Sequence, residues 1–124
     1  MNAADSHKLT SFELADLRLL FRSDAAGLNK TLHIFMQELI EFELRFAQAK
    51  QGGDLLAIER LTHSLIGSAG MCGATQTSQQ ARRLCDDLRV TRKSSDELTN
   101  DLLSAVRNNL RDLRQAGFDP ARDI

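Results

Sequence analysis

The fold is decided by residues 24–53, which read DAAGLNKTLHIFMQELIEFELRFAQAKQGG. Apolar side chains recur in this stretch at alternating spacings of four and three residues, at Leu28, Leu32, Phe35, Leu39, Phe42, Phe46 and Ala49. Such a seven-residue repeat places one apolar stripe along a long helix, as helical bundles require. Asp24 suits the N-cap, and Gly52-Gly53 ends the pattern. We therefore predict a helix that begins after Asp24 and runs to about Gln51.

Four more helices are predicted around this one. The first covers 11–22, with Ser11 as its cap, and the second follows the cap Asp54 and runs to about Met71. The last two cover 76–92 and 97–116, separated by a turn at 94–96. Since short connections favour antiparallel neighbours, we predict an all-α fold. Its core is an antiparallel four-helix bundle of the last four helices, and the helix over 11–22 packs over one end.

Length and composition limit the domain organisation and the partners. The chain has 124 residues, which suits one compact domain over 1–124 with loosely ordered ends at 1–10 and 118–124. A net charge of −1, from 16 basic and 17 acidic residues, argues against a nucleic-acid binder that uses a basic face. No apolar run approaches the roughly 20 residues that span a bilayer, and residues 1–8 lack a signal-peptide pattern. We expect a cytoplasmic protein, or a cytoplasmic domain of a larger one, without membrane insertion. Cys72 and Cys85 are expected to be buried free thiols.

The helix predicted over 54–71 carries a histidine on its outer side. At about 100° per residue, its apolar side chains fall within an arc of roughly 80°. The members of this arc are Ile58, Leu61, Leu65, Ala69 and Cys72. His63 lies about 160° from the centre of the arc. It is therefore predicted to point to solvent or into a surface groove beside a neighbouring helix.

Two glycines share the face of His63. Gly67 and Gly70 follow it by four and seven residues, and each costs a helix interior about 1 kcal/mol relative to alanine. They suit a smooth surface on which another protein approaches the imidazole closely, although close packing by a neighbouring helix would also account for them. The docking surface that we predict around His63 consists of Leu56, Arg60, Ile66, Gly67, Gly70 and Met71.

The segment HSLIGSA, residues 63–69, with Gly73-Ala74 after it, resembles the signature of histidine phosphotransfer (HPt) domains of bacterial multistep phosphorelays. In that family the phosphoacceptor histidine opens a run of the form His-x-Leu-Lys-Gly-Ser-Ala, and a Gly-Ala pair closes the helix. Gly67, Ser68 and Gly73 match the glycine, serine and second glycine of that pattern. The resemblance implies that His63 is the phosphoacceptor.

Two positions depart from the family pattern. The family usually has a lysine three residues after the histidine, thought to balance the phosphoryl charge, and this chain has Ile66. It often has a glutamate or glutamine twenty-two residues after the histidine, where that side chain bonds the imidazole, and this chain has Cys85. The residues that we predict as substitutes, for charge or for hydrogen bonding, are Ser68, Gln79, Gln80 and Arg83, with Arg60 and Arg82 as further cations.

The resemblance also implies a mechanism and partners. His63, through Nε2, would take a phosphoryl group from the aspartate of one receiver domain and pass it to another in two-component signalling. The partners would be a response-regulator receiver domain, a hybrid sensor histidine kinase, or both. Apart from the resemblance, we expect a monomer because a five-helix bundle can contain its own core, although a helix shared between two chains is the alternative. The Mg²⁺ ion would belong to the receiver, so the chain would need no cofactor or metal of its own. Since the sequence contains no nucleotide-binding loop of a kinase, the chain would be a phosphoryl carrier rather than an autonomous enzyme.

Ile66 and Cys85 also support a second hypothesis. Without the two usual polar residues, the same bundle would serve as a non-catalytic interaction module. Such a module docks a receiver domain or another signalling protein without carrying phosphate.

Overall fold

The computed structural model describes residues 7–121, which contain five α-helices and no β-strand. The helices are α1 (Ala15–Leu20), α2 (Ala25–Gln51), α3 (Leu55–Met71), α4 (Thr75–Thr91) and α5 (Asp96–Gln115). The four helices α2–α5 agree with their predicted bounds to within one residue at each end. The all-α prediction is confirmed.

Local capping by aspartate side chains explains where two of these helices, α2 and α3, begin. A side-chain oxygen of Asp24 accepts a hydrogen bond from the backbone N–H of Gly27 at 2.8 Å. Asp54 accepts in the same way from Ala57 at 3.0 Å. Each cap satisfies one N–H of the first turn, which has no partner inside the helix. The two aspartates that the sequence indicates as caps therefore act as caps.

The helices α2–α5 form a ring in which each packs against its two neighbours, and α5 returns to α2. Between them lies one apolar core, since the faces with the predicted periodicity all turn inward. Its largest fully buried apolar side chains are Phe35, Phe46, Leu32, Met36, Leu39, Ile58, Leu84, Leu102, Leu110, Leu113 and Val106. The predicted four-helix bundle is confirmed.

The N-terminal part differs from its prediction. The helix expected over 11–22 is limited to α1, and Ser11 does not cap it, since the N-cap of α1 is Leu14. The backbone N–H of Ser11 instead donates to the buried carboxylate of Asp112 in α5 at 2.7 Å. Because a buried carboxylate needs donors, this bond holds the backbone before α1 in a non-helical conformation. Residues 9–14 form a strap across the end of the bundle.

The strap crosses the turn between α3 and α4 at Gly73. The N–H of Glu13 donates to the carbonyl oxygen of Gly73 at 2.7 Å. Gly73 has a φ of +74°, and a Cβ atom there would collide with the carbonyl oxygen of Glu13. Glycine is therefore required at this position both for its backbone conformation and for the close approach of the strap.

The ends of the described chain are more ordered than predicted. Leu9 and Phe118 are 3% and 7% exposed and belong to the core. The N–H of Phe118 donates to the carbonyl oxygen of Leu113 at 3.0 Å, after Gly117 with a φ of +101°, a common way to end a helix. The expectation of loose ends is wrong for these two positions, and residues 1–6 and 122–124 lie outside the described part of the chain. No helix within 7–121 has the length and apolar character to cross a membrane.

Candidate functional site

His63 stands on the outer face of α3. The opposite face is buried through Ile58, Leu65 and Ala69, and Thr62 beside the histidine is fully buried. The hydroxyl of Thr62 donates to the carbonyl oxygen of Ile58 at 2.9 Å. The backbone next to His63 is thus held by the core, while the His63 side chain is exposed. The orientation that the helical wheel predicts is confirmed.

The two glycines on this face have different surroundings. A Cβ atom at Gly67 would meet no atom within 4 Å, whereas one at Gly70 would lie 3.4 Å from the Oγ of Ser78 in α4. Gly70 is therefore explained in part by the close packing of α3 on α4. Gly67 has no packing explanation, and its missing side chain leaves the surface beside His63 open.

The remaining residues of the predicted docking surface lie around these positions. Leu56 and Met71 are 55% and 79% exposed, and Arg60 is exposed as well. Ile66 is half-buried because one side of it packs against the core. The helix therefore places His63 between exposed apolar side chains about two turns away on either side. This arrangement suits contact with a macromolecular partner.

Two hydrogen bonds show how α4 is aligned with α3 beside His63. The hydroxyl of Ser78 donates to the carbonyl oxygen of Ile66 at 2.8 Å, and the Nε of Arg89 donates to Glu59 at 2.8 Å. Since Glu59 and Ile66 flank His63 on α3, the part of α4 level with His63 lies between Ser78 and Arg89. That part includes Cys85, which is 1% exposed. The position at which the HPt pattern often has a glutamate or glutamine is therefore a buried thiol.

The predicted supporting residues are not brought to His63. Ser68 lies about 140° around α3 from the histidine, on the side of α2, where its hydroxyl donates to the carbonyl oxygen of Ser64 at 3.4 Å. Arg83 donates to Gln80 at 3.1 Å. Ser78 lies on the side of α4 that faces α3. At about 100° per residue, Arg83 and Gln80 lie 140° or more around α4 from Ser78.

Gln79 has different neighbours. It lines a polar cavity of about 460 Å³ at the end of the bundle, together with strap residues and the start of α4. The other members of that lining include Thr10, Ser11 and Asn109.

Of the cations considered, Arg60 shares α3 with His63, and Arg82 lies on the exposed flank of α4 between Ser78 and Arg89.

Arg89 is a charged neighbour of Glu59, beside His63, that the sequence did not predict. The hydrogen bond from Arg89 lowers the pKa of the Glu59 carboxyl below its usual range, and the charge of Arg92 acts in the same direction. Glu59 is detectable from sequence as the residue one turn before His63. Arg89 carries no such signal, because it reaches the site only through the packing of α4 on α3.

The two cysteines are free and buried, as predicted. Burial, with a smaller effect of the Glu38 charge, raises the pKa of the Cys72 thiol to about 11. Since the thiolate is the reactive form, Cys72 is not a nucleophile near neutral pH. Residues 7–121 also contain no group of three or more His, Cys, Asp or Glu side chains placed to hold a metal ion.

Comparison with known proteins identifies the family. The family model described as Hpt domain matches residues 30–116, which include α3, α4 and all of α5. No curated protein and no solved structure gives a match. The matched range contains His63 and every residue of the surface around it, and it leaves the strap and α1 outside.

Proposed function

Because the chain belongs to the Hpt domain family, which acts in histidine phosphotransfer within phosphorelays, we propose that His63 is its phosphoacceptor. The protein would relay a phosphoryl group between receiver-domain aspartates in two-component signalling. The observation that carries the proposal is the exposure of His63 at the middle of α3, with the side of Gly67 open beside it.

The transfer uses the lone pair of a neutral imidazole nitrogen. An imidazole is largely neutral and nucleophilic near pH 7. In the proposed step, Nε2 of His63 attacks the phosphorus atom of an aspartyl phosphate in line. The N–P bond forms, the P–O bond breaks, and the aspartate carboxylate leaves with its electron pair. The ring proton stays on Nδ1, and the reverse step passes the phosphoryl group to a second receiver.

The described residues do not surround His63 with groups that would perform this reaction alone. Ile66 is apolar, Cys85 is buried, and His63 stands on a convex helix face. We therefore propose that the receiver partner supplies most of the charge stabilisation, through its own lysine and a Mg²⁺ ion that neutralises the phosphoryl oxygens. His63 and the surface around it then act as nucleophile and docking platform.

The decisive test is transfer from a labelled partner. A receiver domain carrying ³²P on its aspartate is mixed with the wild type and with His63→Gln. Acid-labile, alkali-stable label on the wild type and none on His63→Gln supports the proposal. His7→Gln, which changes another exposed histidine, is the matched control and should keep the label. An unlabelled wild type, or label that survives His63→Gln, contradicts it.

A second function is supported by the same two departures from the family pattern. With Ile66 half-buried and Cys85 fully buried, no polar side chain stands at either supporting position. A docking module that binds a receiver without accepting phosphate fits these positions equally. It is favoured if isothermal titration shows receiver binding that persists in His63→Ala while the wild type takes no label.

A further inference from the structure

The ion pair of Glu59 and Arg89 lies one helical turn from His63. Glu59 precedes His63 by four residues, so the two side chains are neighbours on the surface of α3. Arg89 reaches Glu59 from α4, with 2.8 Å between its Nε and the Oε1 of the carboxylate. The side chain of Glu59 is 23% exposed and that of Arg89 50%, so the carboxylate lies partly between the helices.

A carboxylate in this place opposes the proposed reaction. A phosphoryl group adds nearly two negative charges near neutral pH. The Cβ atoms of helix residues four apart, such as Glu59 and His63, are usually about 6 Å from each other. The lysine that the family usually provides is absent, since its position is Ile66. Arg89 is the cation that is hydrogen-bonded to Glu59, so it is the group that most reduces the Glu59 charge felt at His63.

We propose that Arg89 is a positioning residue for phosphotransfer that acts through Glu59: its guanidinium neutralises the carboxylate beside His63 and so allows a phosphoryl group to reside there. This inference rests on the proposed function of His63. Arginine suits the role because its guanidinium stays charged at every relevant pH and is rigid.

The proposal differs from direct contact between Arg89 and the phosphoryl group. If Arg89 acts through Glu59, removal of the carboxylate makes Arg89 dispensable. If Arg89 binds the phosphoryl oxygens itself, its loss is harmful whether or not Glu59 is present. The two roles are therefore separated by a double variant, Glu59→Gln with Arg89→Gln.

The experiment uses phosphoramidate as the phosphoryl donor, so it needs no receiver domain. Wild type, Arg89→Gln, Arg89→Lys, Glu59→Gln and the double variant are phosphorylated in parallel. The yield and half-life of phospho-His63 are followed by mass spectrometry under alkaline conditions. Because an exposed ion pair contributes little to stability, all variants should fold, which circular dichroism verifies. Arg107→Gln, which breaks the ion pair with Glu43 between α5 and α2, is the matched control.

We expect the yield of phospho-His63 in Arg89→Gln to fall at least about threefold, the effect of one unpaired charge about 6 Å away in a fully aqueous dielectric. Arg89→Lys, Glu59→Gln, the double variant and Arg107→Gln should stay at or above the wild-type yield. An unchanged yield in Arg89→Gln overturns the proposal, as does a double variant that remains as low as Arg89→Gln.

The outcomes also separate this proposal from the proposed function. A wild type that accepts phosphate from phosphoramidate but not from a receiver contradicts the relay function, while the comparison of variants still decides the role of Arg89. A wild type that phosphoramidate does not label at His63 overturns the role of Arg89, whereas the relay function is decided by transfer from the labelled receiver.

Discussion

The backbone N–H of Ser11 donates to Oδ2 of Asp112 at 2.7 Å and joins the strap to the last helix. The hydroxyl of Thr10 donates to the same oxygen at 3.3 Å, and Arg111 donates to the other carboxylate oxygen at 3.4 Å. The Asp112 residue is only 1% exposed, so these donors replace water. The bond network therefore anchors the segment that carries Phe12 into edge-to-face contact with the ring of Phe35, at a centroid distance of 6.1 Å.

Asp112→Ala should lower the free energy of unfolding by about 2–3 kcal/mol, because it leaves the Ser11 N–H without its charged acceptor in a buried place. The measurement is urea denaturation followed by circular dichroism at 222 nm, where helices give a strong negative ellipticity. Asp119→Ala, an exposed aspartate in the C-terminal segment, should change the same quantity by about 0.5 kcal/mol or less. Equal effects of the two substitutions would show that the strap anchor does not matter for stability.

The stability of the protein should also depend on Asp112 in acid. Burial alone would raise the pKa of the Asp112 carboxyl, but the hydrogen bonds from Ser11, Thr10 and Arg111 outweigh it and lower this pKa. As pH falls, the unfolded chain therefore takes up the proton first, near the ordinary value of about 3.9, while the folded chain resists. The contribution of ionised Asp112 to the free energy of unfolding is complete above that value. It is lost as pH falls through the lowered pKa of the folded chain.

This linkage predicts a difference between the wild type and Asp112→Asn. The free energy of unfolding of the wild type should fall more steeply below about pH 4 than that of the variant, which has no carboxyl to protonate. Urea denaturation at several pH values in that window measures both slopes. Parallel curves would mean that Asp112 has the same pKa in the folded and unfolded states.

The four-helix bundle could be predicted from the sequence because the features that specify its helices are local. The repeat from Leu28 to Ala49 and the caps Asp24 and Asp54 each act within a few residues, so the bounds of α2 and α3 follow from neighbouring positions. The strap could not be predicted in this way. Ser11 satisfies the local rules for a helix cap, and its competing partner Asp112 is 101 positions away.

The same distinction applies to the site. The exposure of His63 and the open side of Gly67 follow from the periodicity of one helix, and the structure agrees. The placement of Arg83 and Arg89 depends on how α4 is rotated and shifted against α3, which the hydrogen bond from Ser78 to Ile66 sets. No local pattern encodes that rotation, so the choice of Arg83 was unsupported and Arg89 was missed.

Replacement of Gly67 by a larger residue should leave the fold intact but weaken docking of the partner. In Gly67→Leu, the new Cβ atom meets no atom of the protein within 4 Å, so the free energy of unfolding should rise by about 0.5–1 kcal/mol from helix propensity. The same side chain stands one turn from His63, so transfer from a phosphorylated receiver should drop at least about tenfold, as expected when a docking contact worth 1.4 kcal/mol is lost. Thermal denaturation and the rate of label transfer measure the two effects.

Ala47→Leu on α2 is the matched control, because it also adds an exposed apolar side chain to a helix surface. It should leave transfer at the wild-type rate. Transfer that is unaffected in Gly67→Leu would show that partners do not contact this side of His63.

Ile66→Lys should restore the charge that the family usually places beside the phosphoacceptor. Ile66 is half-buried, and a lysine can keep its methylene groups against the core while its ammonium group reaches solvent near His63. We expect the yield of phospho-His63 to rise about threefold or more, since one added positive charge within about 6 Å favours the phosphorylated form even in an aqueous dielectric. The cost is about 1 kcal/mol of stability, from the apolar surface that the substitution leaves less buried. Val90→Lys, at an apolar position of α4 that is 82% exposed, adds the same charge as a control and should not raise the yield. If Ile66→Lys folds but its yield equals that of Val90→Lys, the phosphoryl charge is already balanced in the wild type, and the missing lysine does not limit phosphorylation of His63.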